Sequence, residues 1–129
     1  MNTVTLDTNA VSDFQRKSLW LNSICLADKV LIPFPVLGEL KYGIRSGSHY
    51  KANINWLNEF LSSPLVDILE STCRTTDLYA ELKQQLKHAG TPIPENDIWI
   101  AACCIENSSV LLTRDNHFKH IPQLNVLWP

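Results

Sequence analysis

Long apolar runs are missing from this 129-residue chain. No stretch of about 18 apolar residues occurs, so a membrane-spanning helix is excluded. A secretory leader is not expected either: the N-terminal residues read MNTVTLDTN, with Asp7 where an apolar leader core would have to continue. The expectation is a cytoplasmic protein. An excess of positive charge is also lacking. Eleven Lys and Arg stand against thirteen Asp and Glu, for a net charge of −2. Proteins that hold nucleic acid by overall charge are usually basic, so any such role here must come from a local patch. Cysteine is sparse. Cys25, Cys73, Cys103 and Cys104 form no C-x-x-C pair, and the last two are adjacent. This suits neither a zinc knuckle nor a disulfide scaffold, and the four are expected to be reduced, mostly buried thiols. Repeats, low-complexity tracts and Gly/Ser linkers are absent.

What is present is an ordinary globular composition, 45% hydrophobic and 19% charged, in a length that predicts a single domain over residues 1–129. Short β-like runs alternate with helical patterns. Val4-Thr5-Leu6 is a short strand that stops at Asp7, and Ala10 to Ala27 carries helical pieces broken near Lys17-Ser18. Val30-Leu31-Ile32 is a second β-branched run, closed by Pro33. Pro35 suits a first helical turn, and Val36, Leu37, Leu40 and Ile44 then share one face until Ser46-Gly47. Trp56, Leu57, Phe60 and Leu61 mark another helix, and Leu65 to Ile68 a third strand. Leu78, Leu82 and Leu86 recur at four-residue steps until Ala89-Gly90. Ile98, Ala101, Ala102 and Ile105 form a stripe at i, i+3, i+4 and i+7. Val110-Leu111-Leu112 is a fourth strand and Val126-Leu127 a short last one. Strands alternating with helices, themselves apolar runs, predict a mostly parallel sheet of four or five strands covered on both faces: a three-layer α/β/α sandwich.

In such a sheet ligands bind beyond the C-terminal strand ends. Asp7 follows the first strand directly, and Asp115 lies just beyond the fourth. Glu39 borders the apolar stripe of its helix, and Asp97 opens the Ile98 helix. Each has a plain structural role open to it: Asp7 as a helix cap, Asp97 as a first-turn acid facing the helix dipole, Asp115-Asn116 as a turn, Glu39 as a solvated helix acid. Collected in one crevice, four acids would repel one another unless a cation sits between them. Oxygen ligands with no His or Cys suit Mg²⁺ or Mn²⁺. The matching chemistry is in-line attack of water on a phosphodiester, with the metal stabilising the leaving oxygen.

The segments LDTN at 6–9, PVLGELKYG at 35–43, ENDIWIAA at 95–102 and LLTRD at 111–115 together resemble the PIN domain, and in particular the VapC-type toxin nucleases of type II toxin–antitoxin pairs. The resemblance runs from Val4 to about Val126. It implies a PIN-like fold, with the acidic quartet on Asp7, Glu39, Asp97 and Asp115 and with Asn9 and Thr113 as supporting or substrate-contacting groups. It further implies an Mg²⁺- or Mn²⁺-dependent ribonuclease leaving a 5′-phosphate and a 3′-hydroxyl. The implied substrate is tRNA or ribosomal RNA, the implied assembly a homodimer, and the implied partner a small antitoxin that enters the acidic groove.

Lys41 and Arg45, further along the Glu39 helix, and Arg114, beside Asp115, are the cations favoured for RNA contact. His117 and His120 are expected to be surface or loop histidines rather than metal ligands. Trp20, Trp56 and Trp99 are expected to serve as core or interface aromatics. An aspartate-nucleophile phosphatase also opens on a strand running into D-x-[DN], but Asn9 stands where its general acid belongs and no downstream Lys motif follows. A non-catalytic PIN-like scaffold that binds RNA or protein is the remaining alternative.

Overall fold

The computed structural model describes residues 2–129. Five strands, β1 (Thr3–Leu6), β2 (Lys29–Pro33), β3 (Val66–Leu69), β4 (Val110–Leu112) and β5 (Asn125–Leu127), form one sheet in the order β3-β2-β1-β4-β5. Every pairing is parallel. The six α-helices are α1 (Thr8–Gln15), α2 (Leu21–Cys25), α3 (Phe34–Ser46), α4 (Tyr50–Leu61), α5 (Cys73–His88) and α6 (Glu95–Glu106), and a 3₁₀ turn spans Asn116–His120. Val4, Thr5 and Leu6 of β1 and Val30, Leu31 and Ile32 of β2 are all buried. Neighbouring residues on a strand point to opposite faces, so both faces of the central strands are covered, as their apolar runs predict. No described helix is long and apolar enough to cross a membrane.

The predicted break near Lys17-Ser18 has a backbone cause. Lys17 (φ 54°) and Trp20 (φ 69°) both sit in the left-handed region, which no L-residue can continue as a right-handed helix. Trp20 is nonetheless driven into the core, 8% exposed, and its indole N–H is a buried donor without a protein partner. The α5 terminus is a Schellman motif: Gly90 at φ 72° lets its N–H reach the Lys87 carbonyl and that of Thr91 reach Leu86. Leu82 and Leu86, on the inner side of α5, are buried with Ile98, Ala101 and Ala102 of α6, and β1, β2 and β4 supply the rest of the core.

The cysteines divide evenly, which corrects the expectation of mostly buried thiols: Cys103 and Cys104 are buried, Cys25 and Cys73 exposed. Cys25 falls at the end of the five-residue α2 and Cys73 opens α5, and both face solvent. Burial pushes the Cys103 thiol up to about 12 and raises Cys104 as well, although Ser109 and Thr5 oppose that rise by hydrogen bonding. Thiolate is the reacting species. Titration of the native protein with a thiol reagent near neutral pH therefore labels Cys25 and Cys73, and the other two react only on unfolding.

Candidate active site

The sheet reverses its winding between β1 and β4: β2 and β3 lie on one side of β1, β4 and β5 on the other. Such a switch point leaves a crevice beyond the C-terminal strand ends. Leu6 is in register with Leu112, so the next residue on each strand, Asp7 and Thr113, emerge side by side. Thr113 Oγ1 donates to Asp7 Oδ2 at 2.5 Å, and the Asp115 backbone N–H donates to Thr113 Oγ1 at 2.9 Å. One fully buried hydroxyl thus orients the first aspartate and pins the backbone of the last.

Asp7 fills two roles. Its Oδ1 caps α1 by accepting from the Ala10 N–H at 3.1 Å, while Oδ2 belongs to the crevice network. Only 4% of the residue is exposed. Burial raises its pKa, the hydrogen bonds from Thr113, Ala10 and Asn9 pull it back, and the charge of Asp115 raises it further. Asn9 contributes through its backbone, and the residue itself is exposed.

Asp97 lies in the first turn of α6 and does not cap it: Pro94 occupies the cap position. The Asp97 side chain faces the strand ends. Burial raises its pKa, the His117 hydrogen bond opposes, and the charges of Asp115 and Asp7 add to the rise. Asp115 caps the 3₁₀ turn, accepting from the His117 N–H at 2.9 Å. That turn swings the His117 ring between two carboxylates, with Nδ1 2.8 Å from Asp97 Oδ2 and 3.1 Å from Asp115 Oδ1. The pKa of His117 rises, first through the Asp97 hydrogen bond and then through the charges of Asp115 and Asp97, against a lowering by desolvation. His117 is exposed on the surface turn, as expected, and its ring also joins the acidic cluster, a contact the sequence reading did not foresee. The signal available was the pattern D-x-H after a strand: an aspartate-capped turn brings residue i+2 back to the carboxylate. His120 is exposed as well, as expected.

Asp97, Asp115 and His117 each offer one donor atom, all within 4.8 Å of one another. Asp7 and Glu39 stand outside that tight group. Glu39 looks in from α3: with Pro94, Glu95, Asn96, Asp97, Asp115 and His117 it lines a crevice of about 480 Å³. Its Oε1 accepts from Thr8 Oγ1 at 3.1 Å, tying α3 to the start of α1. All four acids expected from sequence are thus gathered at one end of the sheet.

The favoured cations behave differently. Arg114 donates from Nε to Asp13 Oδ2 at 2.9 Å and also feels the charge of Asp7. Asp13 of α1, 5% exposed, is the buried charge that sequence reasoning missed, and Arg114 is its counter-ion. Lys41 and Arg45 follow Glu39 by two and six residues, which at about 100° per residue points both away from it. They border neither the crevice nor the cleft beside it. The tryptophans are packing residues, as expected. Trp56 stacks on Phe60 with ring centroids 5.1 Å apart, and Trp99 on Tyr79 at 3.9 Å.

A model of the PIN domain matches residues 4–124. The chain belongs to the PIN-domain family. This PIN domain is 34% identical over 90 residues to ribonuclease VapC2 of Rickettsia felis, an alignment covering 69% of this chain and 66% of that protein. It is 29% identical over 91 residues to ribonuclease VapC4 of Mycobacterium tuberculosis, 70% of each chain. In three dimensions it is similar to the VapBC2 structure from Rickettsia felis bound to a DNA fragment from their promoter. The TM-score there is 0.87, with 29% identity and 97% of both chains covered. The fold is shared as well with VapBC-1 from nontypeable Haemophilus influenzae, at TM-score 0.86 and 23% identity over 98% and 97% of the two chains.

The PIN-domain cluster fits a divalent cation. Two carboxylates and an imidazole converge, and burial together with mutual repulsion raises the proton affinity of Asp97. A cation there removes both penalties. An imidazole donor would broaden the match from Mg²⁺ toward Mn²⁺, and it would bind the ion as the neutral ring.

Proposed function

We propose that this chain is a metal-dependent endoribonuclease and the toxin of a type II toxin–antitoxin pair. In this reading it works in the cytoplasm as a homodimer, uses Mg²⁺ or Mn²⁺, and cleaves tRNA or ribosomal RNA loops. Translation is inhibited until a cognate antitoxin protein neutralises it. The observation that carries the proposal is the convergence of Asp97, Asp115 and His117 beside Glu39 and Asp7 at the β1/β4 strand ends, in a chain 34% identical to a ribonuclease VapC2. The VapBC structures it resembles support the antitoxin partner.

Each residue has a task. Asp97, Asp115 and His117 would hold the ion. Asp7, fixed by Thr113 and by the α1 N-terminus, adds negative charge from behind, and Glu39 completes the acidic wall from α3. When bound, the ion supplies positive charge to phosphate oxygens and activates water as a nucleophile. Thr113 keeps the two strand-end aspartates in register with each other.

Expression of the chain without an antitoxin arrests bacterial growth, and the Asp97→Asn variant at equal soluble level does not. Normal growth with soluble, unsubstituted protein would contradict the toxin role.

A further inference from the structure

The α3–α4 hairpin is a basic stretch in this acidic chain. Between Glu39 and Glu59 lie Lys41, Arg45 and Lys51 and no acid, leaving eight cations against thirteen acids on the rest of the chain. Lys41 and Arg45 are one turn apart on α3, flanking Tyr42, which is 73% exposed. His49, Tyr50 and Lys51 are exposed at the start of α4. Lys29, Lys83 and Arg114 are held by acids, while Arg16, Lys17, Arg74, Lys87 and Lys119 stand singly or in pairs among acids along the rest of the chain. Among the described residues none of the three hairpin cations is in a salt bridge. The first turn of α4 contains no acid, and no side chain caps it, so its helix dipole adds to the positive field.

The hairpin is connected to the acidic crevice. A cleft of about 580 Å³ between α1, α3 and α4 has Thr8 and Glu39 at one end and Gly43, Ile44 and His49 at the other. Glu39 lines both cavities. The cleft is also lined by Arg16, Leu40, Trp56 and Leu57, and Lys41, Arg45 and Lys51 lie outside its lining, so a chain whose phosphate sits at the acids would reach these cations over the rim of the hairpin that walls the cleft. Free cations interleaved with exposed aromatic rings suit one class of polymer: single-stranded nucleic acid, with phosphates on the cations and bases stacked on the rings. Because Lys41 and Arg45 face away from Glu39, they meet phosphates flanking the cleaved bond rather than the bond itself.

We infer that the α3–α4 hairpin is the docking surface for the single-stranded RNA that flanks the cleavage site, with Lys41, Arg45 and Lys51 on its phosphates and Tyr42 and Tyr50 on its bases. The inference rests on the RNA-cleaving function proposed above and names where that substrate is held.

The test measures binding, in EDTA, of a fluorescein-labelled single-stranded RNA of mixed sequence to the Asp97→Asn protein over a range of KCl concentrations. Adding Lys41→Gln, Arg45→Gln and Lys51→Gln together lowers affinity about tenfold or more and reduces the slope of log K against log salt by about 2, three contacts at about 0.7 each on a single strand. Tyr42→Ala or Tyr50→Ala weakens binding about fivefold or more with the slope unchanged. A control triple, Lys29→Gln, Arg74→Gln and Lys87→Gln, removes the same charge and leaves the slope near that of the parent. All the hairpin positions are exposed, so an unchanged melting temperature verifies folding. Should the hairpin triple bind RNA with the parent's slope, the inference is overturned while the nuclease proposal stands, and a protein partner on this hairpin would give that same result. If the Asp97→Asn protein binds no RNA and the unsubstituted protein cuts none, the nuclease proposal fails and the inference with it.

Discussion

Asp97→Asn lowers RNA cleavage more than about a hundredfold. Losing a group that merely orients a metal ligand costs ten- to a hundredfold, and Asp97 is proposed as a ligand itself. Single-turnover cleavage at saturating Mg²⁺ measures the effect, and activity within a few-fold of the parent would remove Asp97 from the metal site. The fold survives the change. Asp97 does not cap α6, and its carboxylate is partly buried near the charges of Asp115 and Asp7. The neutral amide therefore relieves both burial and repulsion, and the melting temperature does not fall. A variant that loses activity only because it unfolds would contradict this.

Thr113→Val has a different signature, because it reduces stability and cleavage together. The substitution preserves shape and deletes the Oγ1 that donates to Asp7 at 2.5 Å and accepts from the Asp115 N–H at 2.9 Å. It strands one oxygen of a buried carboxylate, at a cost of about 2–3 kcal/mol. Cleavage falls as well, since both strand-end aspartates lose their shared anchor. Thr113→Ser retains the hydroxyl and restores most of the activity. Thermal melts and cleavage rates of the two variants check the pair of effects, and full activity in Thr113→Val would show that the bridge does not position the site.

The sheet was legible because its strands are apolar runs bounded by Pro33, Pro64 and the acids, and because strict helical periodicity separates them. The acids were legible for a related reason. A strand that stops at a charged residue, as β1 stops at Asp7, places that residue at the sheet end where ligands bind in parallel folds. The surface position of His117 was legible, but its contact with Asp97 was not, since that depends on how the 3₁₀ turn capped by Asp115 lies against α6. The Arg114–Asp13 pair was not legible because Asp13 is a hundred residues away in sequence and lies on α1, where its burial depends on tertiary packing. Lys41 and Arg45 were picked out on charge. Their direction around α3 separates them from the acids, and only the position of the neighbouring α4 gives them a shared surface.

The central claim is that the crevice acids cut RNA with a divalent ion, and the most direct test is a gel. Total cellular RNA, including tRNA and ribosomal RNA, is incubated with the purified protein in Mg²⁺ or Mn²⁺, in EDTA, and beside Asp97→Asn. The account predicts discrete fragments with 5′-phosphates that form only with the metal and only with Asp97 in place. Fragments that persist in EDTA or with Asp97→Asn, or no fragments under any condition, would contradict it.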